Sequence, residues 1–559
     1  MNIKSIQKDL KAQKLNGRIF TLGNLFIDQD ILPEENRITE LTGFTGSYAI
    51  LFISTSKAYL FVDGRYELQA KKEVNTKQVE IVKLTEISFT DWLKQKYATL
   101  ASSIVYNPWV LSLNVLYSLK TILPKTKFIP LEKPEKLLSS TRVKVIPHAK
   151  KFAGRSAKEK LSKFSQIIKK SGLDAFLVTD SANASWILNL RSTALPYTPI
   201  FRSYVLVEKT GAYKIFAENC DYTAALPFSK LAEILPKYEK LAADFSTTPA
   251  IIADFAPHIR HMRDETTISK AIKNPVELKG IRNAHLRDGV AVSKFIYWLS
   301  KNYKGKSETE VADKLLSFRK EEMNFYSESF ATIAGFGSNA AIVHYHAPKE
   351  DSAKLKKNSL ILIDSGGQYY DGTTDVTRTI ALGTPTPEMI EKNTLVLKAH
   401  IALASATFPL NSRGNELDFI TRQPLLKNGI NFDHGTGHGV GCFSNVHEGP
   451  NRISITAKNQ YYPYYAGMVT SIEPGYYKEK AFGIRIENLY YTKTAKNPKY
   501  MNFEVLTLIP LDKKLINKHM LSEDEIKWLN RYHRQTFLSL KKYLTKQELE
   551  WLKDACAPL

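Results

Sequence analysis

Short apolar runs separated by polar turns dominate the first quarter of the chain. YAILFIS (48–54) and AYLFVDGRY (58–66) read as strands rich in β-branched and aromatic residues. SFTDWLKQKYATL (88–100) has the spacing of an amphipathic helix. The style repeats further on, with LDAFLVT (173–179), FRSYVLV (201–207) and AYKIFAE (212–218) as strands and SANASWILNL (181–190) as a helix. The repetition suggests two distant copies of one unit. A Pro- and Lys-bearing segment, PLEKPEKLLSSTRVKVIPHAKK (130–151), separates them and marks a boundary. A third unit opens at KNPVELKGIRNAHLRDGVAVSKFIYWLS (273–300). There Asn274 can cap, Pro275 suits the first helical position and Glu277 completes a capping box. Ser307 with Glu310, and Ser522 with Glu525, form two more such signatures; the last opens a late amphipathic helix expected to pack on this unit. Between them, 325–511 is rich in β-branched and aromatic residues and in glycine.

The chain's 559 residues exceed one core and suggest three or four units. Apolar residues make up 43%, which is the share of a globular protein, not a disordered one. Three distant cysteines, Cys220, Cys442 and Cys556, argue against a disulfide framework and for a reducing, cytoplasmic setting. The amino terminus lacks a secretory apolar segment, and no run is long enough to span a bilayer, so no membrane partner is expected. A net charge of +22 raises the question of nucleic acid. Its lysines are scattered, however, and the densest stretch (144–170) reads as a linker and a surface helix in which Leu161, Phe164, Ile167 and Ile168 form the packed stripe. No nucleic-acid partner is expected.

The chemistry concentrates in the third unit. SLILIDSGGQYYDGTTDVTRTIAL (359–382) sets Asp364 at the end of a four-residue apolar run and Asp375 in a second β-rich run, with the turn signal Asp371-Gly372 between them. HGTGHGVG (434–441) carries His434 and His438, SIEPGYY (471–477) carries Glu473, and FGIRIENLYY (482–491) carries Glu487. His344 and His447 stand in AIVHYH and NVHEGP. Singly, each reads better as a carboxylate paired with a lysine or arginine, or as a turn histidine beside glycines. The four glycines of HGTGHGVG oppose a zinc-protease helix. Jointly the picture changes, because carboxylates ending apolar strands converge in the interior and cannot all stay ionised there unless cations meet them. Four carboxylates and an imidazole suit manganese, cobalt, iron or zinc. Two divalent ions supply four positive charges, which match the four carboxylates.

These motifs resemble the pita-bread metallopeptidases, and within them the long, three-domain cytosolic aminopeptidases specific for Xaa-Pro bonds. LTGFTGSYAILFI, FVDGRYELQA, SWILNLRS, FEVLTLIPLDKKLI, WLNRYH and LEWLKDACAPL extend the resemblance over the whole chain. It implies an α/β (α+β) architecture: amino-terminal domain I over 1–146, a domain I-like domain II over 147–272, and a catalytic domain over 273–559 with a tail from about 506. It implies Asp364, Asp375, His438, Glu473 and Glu487 as ligands of two divalent ions, Mn2+ with Zn2+ or Co2+ as alternatives. His344, His434 and His447 fall on substrate-binding positions, while Arg485 and Tyr477 order the carboxylates. His346 has no assigned role. The implied activity is release of the first residue from peptides with proline second, by attack of a metal-bridging hydroxide on the Xaa-Pro bond. Glu473 serves as base and shuttle, His447 faces the carbonyl oxygen and His344 the proline nitrogen. A homodimer is implied as well. The alternatives are a prolidase-type dipeptidase, which lacks the extra amino-terminal domain, and a non-catalytic binding module, which loses ligands.

Overall fold

The computed structural model describes every residue except 1, 29, 100, 134, 136, 349 and 457–460. The chain divides into two compact units, one of residues 1–148, 155–195 and 200–266, the other of 149–154, 196–199 and 267–559.

The first unit holds two six-stranded sheets. One runs Val79–Lys83, Ala58–Val62, Ile50–Ser54, Gly17–Thr21, Ser102–Tyr106, Thr126–Pro130. The other runs Ala225–Leu226, Tyr213–Phe216, Tyr204–Glu208, Ala175–Val178, Leu241–Ala243, Arg260–His261. Strand for strand they have the same order and the same directions. In each, the first strand in sequence is central, antiparallel to the second and parallel to the fifth. The outer pairs, third with fourth and fifth with sixth, are parallel in both. The repeated style read from the sequence is therefore a repeated topology. Ala175–Val178 is buried throughout, so its unbroken apolar run reflects cover on both faces. The surface helix Ala157–Lys170 buries Leu161, Phe164 and Ile168, with Ile167 half-buried, and is opened by a Ser156–Glu159 capping box.

In the second unit the Asn274–Glu277 capping box opens the long helix Pro275–Asn302, as the sequence predicts. The boxes at Ser307 and Ser522 form too. Asp371 lies in the two-residue turn of a hairpin that pairs Gly367–Tyr369 with Gly372–Thr373. Gly372 is the first strand residue, not the turn residue. A Cβ there would lie 2.9 Å from Ala284 Cβ and 3.0 Å from Ile281 Cα, so glycine lets the hairpin press on the helix. The helix Glu523–Leu540 buries Trp528, Leu529 and Tyr532 in the main core of this unit. Among the described residues no helix is long and apolar enough to cross a membrane.

Three strand groups position the chemistry. Ser359–Ser365 pairs with Ile333–Phe336 on one side and Val376–Leu382 on the other. Val469–Ile472 pairs with Asn488–Thr494, and Gly475–Lys478 with Phe482–Arg485. Gly437–His438 pairs with Arg452–Ile453.

Candidate metal centre

Register brings the acidic residues together. Asp364 lies opposite Thr377, so Asp375 stands just beyond the first pair of that ladder. Glu473 follows the strand Val469–Ile472, whose partner begins at Asn488, one residue after Glu487. Two antiparallel ladders thus each deliver two carboxylates at one end. His438 arrives on the short strand Gly437–His438, as the glycine pattern required. The glycines serve close approach: a Cβ on Gly437 would lie 2.0 Å from Ser471 O, and one on Gly439 2.1 Å from Glu448 O.

Asp375, His438 and Glu487 each offer a ligand atom, all within 4.8 Å of one another. His438 Nε2 lies 3.4 Å from Asp375 Oδ2 and 3.5 Å from Glu473 Oε1. Its Nδ1 is 3.0 Å from Gly439 O, and a hydrogen bond donated there leaves Nε2 as the electron-pair donor a metal requires. Ser471 Oγ donates to Glu473 Oε1 at 3.3 Å, and Thr377 Oγ1 to Glu487 Oε2 at 2.7 Å. Asp364 Oδ1 and Glu487 Oε1 are buried with no hydrogen-bond partner. Such orphaned carboxylate oxygens are costly unless a cation meets them. Hard oxygen donors and one imidazole fit divalent ions of the manganese-to-zinc class.

The charges carry the same message. Burial, then the neighbouring Asp364 and Glu473, push the Asp375 carboxyl well above its ordinary range. Glu487 is raised well above its range by burial, Asp375, Glu473 and Asp364. Glu473 is raised by burial, against the pull of His438 and Arg485. The simple match of four carboxylates to two divalent ions needs one amendment. Arg485, 1% exposed, donates from Nη2 to Asp364 Oδ2 at 2.6 Å and supplies a fifth positive charge. Its Nε donates to Thr377 Oγ1, its Nη1 to Tyr477 Oη and its Nη2 also to Val343 O. Burial opposes that charge, yet Tyr477, Asp364 and Glu473 push its pKa further above the ordinary value. Tyr477, raised by burial to about 12, stays a phenol.

The remaining expected residues fall into two groups. His447 packs edge-on against His438, ring centroids 4.4 Å apart. His434 is engaged through Nε2 with Tyr477 Oη at 2.8 Å and through Nδ1 with Gly435 O at 2.7 Å. It therefore orients Tyr477. His344 is half-buried, next to the Val343 carbonyl that Arg485 holds, and His346 is exposed. Sequence reasoning missed Thr377, whose place two residues after Asp375 on a strand face was the available signal. It also missed Arg378, which donates to the Glu487, Ile509 and Pro510 carbonyls and to Tyr532 Oη, tying a carboxylate-bearing turn to the tail.

Residues 279–494 match the metallopeptidase family M24 and 499–559 its C-terminal region. Residues 3–142 and 132–277 each match a creatinase/prolidase N-terminal domain. A probable Xaa-Pro aminopeptidase P of Laccaria bicolor is 35% identical, covering 94% of this chain and 88% of its own. Xaa-Pro aminopeptidase 1 of Dictyostelium discoideum is 33% identical over 100% of this chain and 96% of its own. The chain belongs to the Xaa-Pro aminopeptidase P family of M24 metallopeptidases. Its architecture is that of the family: two creatinase-type α/β domains, then a pita-bread catalytic domain. The crystal structure of X-prolyl aminopeptidase from Caenorhabditis elegans, a cytosolic enzyme with a di-nuclear active site, superposes with a TM-score of 0.92 at 29% identity. It covers 100% of this chain and 98% of its own. The prolidase of Pyrococcus horikoshii, at 26% identity and a TM-score of 0.51, covers only 63% of this chain.

Proposed function

We propose that this protein releases the amino-terminal residue from peptides with proline second, using two divalent ions held by Asp364, Asp375, His438, Glu473 and Glu487. The observation that carries the proposal is the convergence of Asp375, His438 and Glu487 within 4.8 Å, beside buried carboxylate oxygens that no protein donor meets. When bound, the ions supply Lewis acidity toward the scissile carbonyl and lower the pKa of water. Mn2+ is the first choice, with Zn2+ and Co2+ as alternatives.

The chain's own residues do the rest. Glu473, less enclosed than Glu487, takes a proton and delivers it to the leaving proline nitrogen. His447, edge-on against His438, donates to the carbonyl oxygen as it gains charge. His344 positions the proline nitrogen. Arg485 and Tyr477, steadied by His434, hold Asp364 in place. The prolidase reading is the weaker one, since the prolidase match leaves over a third of this chain uncovered. Division of the chain near residues 146 and 272, a cytoplasmic setting, a homodimer and the absence of a nucleic-acid partner belong to the same proposal. The test is hydrolysis of an Xaa-Pro-Xaa tripeptide against an Xaa-Pro dipeptide after chelation and metal add-back. Preferred cleavage of the tripeptide, with loss of turnover when alanine replaces proline, supports the proposal. Preference for the dipeptide replaces it with the prolidase reading.

A further inference from the structure

Glu308 is fully buried at the first position of the helix Glu308–Lys320. The hydrogen-bond donors that meet it carry no charge. Oε1 accepts from Phe336 N at 2.8 Å and from Asn339 Nδ2 at 2.9 Å. Oε2 accepts from Tyr345 Oη at 2.9 Å and from Ala353 N at 3.2 Å. Four donors use the full capacity of an ionised carboxylate. Their positions are informative, because Asn339 precedes, Tyr345 lies within, and Ala353 follows the segment that carries His344. One carboxylate closes that loop at both ends and grips its middle. From the other side, Arg485 Nη2 donates to Val343 O at 3.4 Å while also binding Asp364. A Cβ on Gly483 would lie 1.8 Å from Ala340 O, so the strand of Arg485 lies directly against the loop's start. His344 is thus the single residue between Val343, held by the metal-centre arginine, and Tyr345, held by Glu308.

We propose that Glu308, acting through Tyr345, is a positioning residue for His344, setting the imidazole against the scissile Xaa-Pro bond. This rests on the reading that His344 takes part in turnover, and the test separates the two. Tyr345→Phe removes one O–H donor and little volume. Glu308→Gln turns an acceptor into a donor facing donors. Both are measured for Xaa-Pro-Xaa hydrolysis, bound metal and thermal midpoint, alone and combined with His344→Ala.

The expected result for Tyr345→Phe is a kcat lower by about tenfold with KM changed less than about twofold, since a small misplacement of a reacting group costs rate more than binding. Metal content is unchanged. With His344→Ala present, the same substitution costs less than about twofold, because the residue it positions is gone. Glu308→Gln follows the same pattern with a larger first effect, and if it does not fold, Asn339→Ala takes its place. An equal factor for Tyr345→Phe with and without His344 overturns the proposal, as does loss of metal in that variant. If His344→Ala itself turns over normally, the role of His344 fails and the positioning proposal falls with it.

Discussion

Glu448 and Glu487 lie in the same unit and are equally buried, at 3% and 2% exposure, yet their surroundings are opposite. Lys273 Nζ donates to Glu448 Oε1, and Lys270 Nζ lies 3.4 Å from Oε2. Burial would raise the Glu448 carboxyl, but these two ammonium groups outweigh it and hold the pKa below the ordinary value. Glu487 receives only the Thr377 hydroxyl, while its second oxygen meets no donor and its pKa is driven well up. Around the buried Glu448 the chain supplies its own cations, and around the buried Glu308 it supplies four neutral donors. At the converging strand ends it brings one arginine for four carboxylates, and the balance is left for ions from solution.

The largest way to break this contrast is to remove an uncompensated carboxylate. Asp364→Ala or Glu487→Ala is expected to abolish both metal retention and peptide turnover, checked by metal analysis and a tripeptide assay. Glu448 gives the opposite outcome. Glu448→Gln leaves two buried ammonium groups without a counter-charge and is expected to cost about 3–5 kcal/mol of stability in denaturant unfolding. Replacing Lys270 and Lys273 by Met together with Glu448→Leu should recover most of that loss with bound metal unchanged, whereas loss of metal would make Glu448 a ligand.

His447→Ala is next in size. It should keep its metal and lose about 10²–10³ in kcat, as for other donors to a developing oxyanion. Loss of metal instead would make His447 a ligand.

The smallest effect is on pH dependence. A carboxyl whose folded pKa is raised costs stability above its unfolded value, about 4, and that cost is relieved as pH falls through the folded pKa. Asp375, Glu473 and Glu487 are of this kind. Glu448 has the opposite sign, giving stability above about 4.3 that is lost as pH falls through its depressed pKa. Buried His400 and His533, lowered to about 3, lose stability over the same range, so the carboxylate contribution is read as a difference between variants. On mild acidification from neutral pH, the melting point of metal-free protein is expected to shift upward relative to that of Glu487→Gln. Equal shifts in the two proteins would mean that Glu487 is compensated after all.

Legibility in the sequence tracks the range of the interactions. The capping boxes at Asn274, Ser307 and Ser522 were readable because they close over three residues. The strand ends at Asp364 and Glu473 were readable because an apolar run terminated by a carboxylate is a local anomaly. The turn lies one residue before the Asp371-Gly372 signal, since Gly372 is required by packing on a helix and not by turn geometry. Arg485 was legible only through the family resemblance, and what escaped were other partners distant in sequence: Lys273 on Glu448 and Glu308 on Tyr345. None has a period or spacing, because each is fixed only when separate strands and helices come together. The likeness of the two amino-terminal sheets was visible as style but became topology only through strand pairing.

The central claim is that the carboxylates at 364, 375, 473 and 487 are balanced by two divalent ions. Calorimetric titration of chelator-stripped protein with Mn2+, in two buffers of different ionisation enthalpy, tests it most directly. The account predicts two ions bound per chain with net proton release, since carboxyls held protonated must ionise to ligate, and Xaa-Pro-Xaa hydrolysis returning as the sites fill. A protein that turns over fully when free of metal, or that binds Mn2+ without releasing protons, would contradict it.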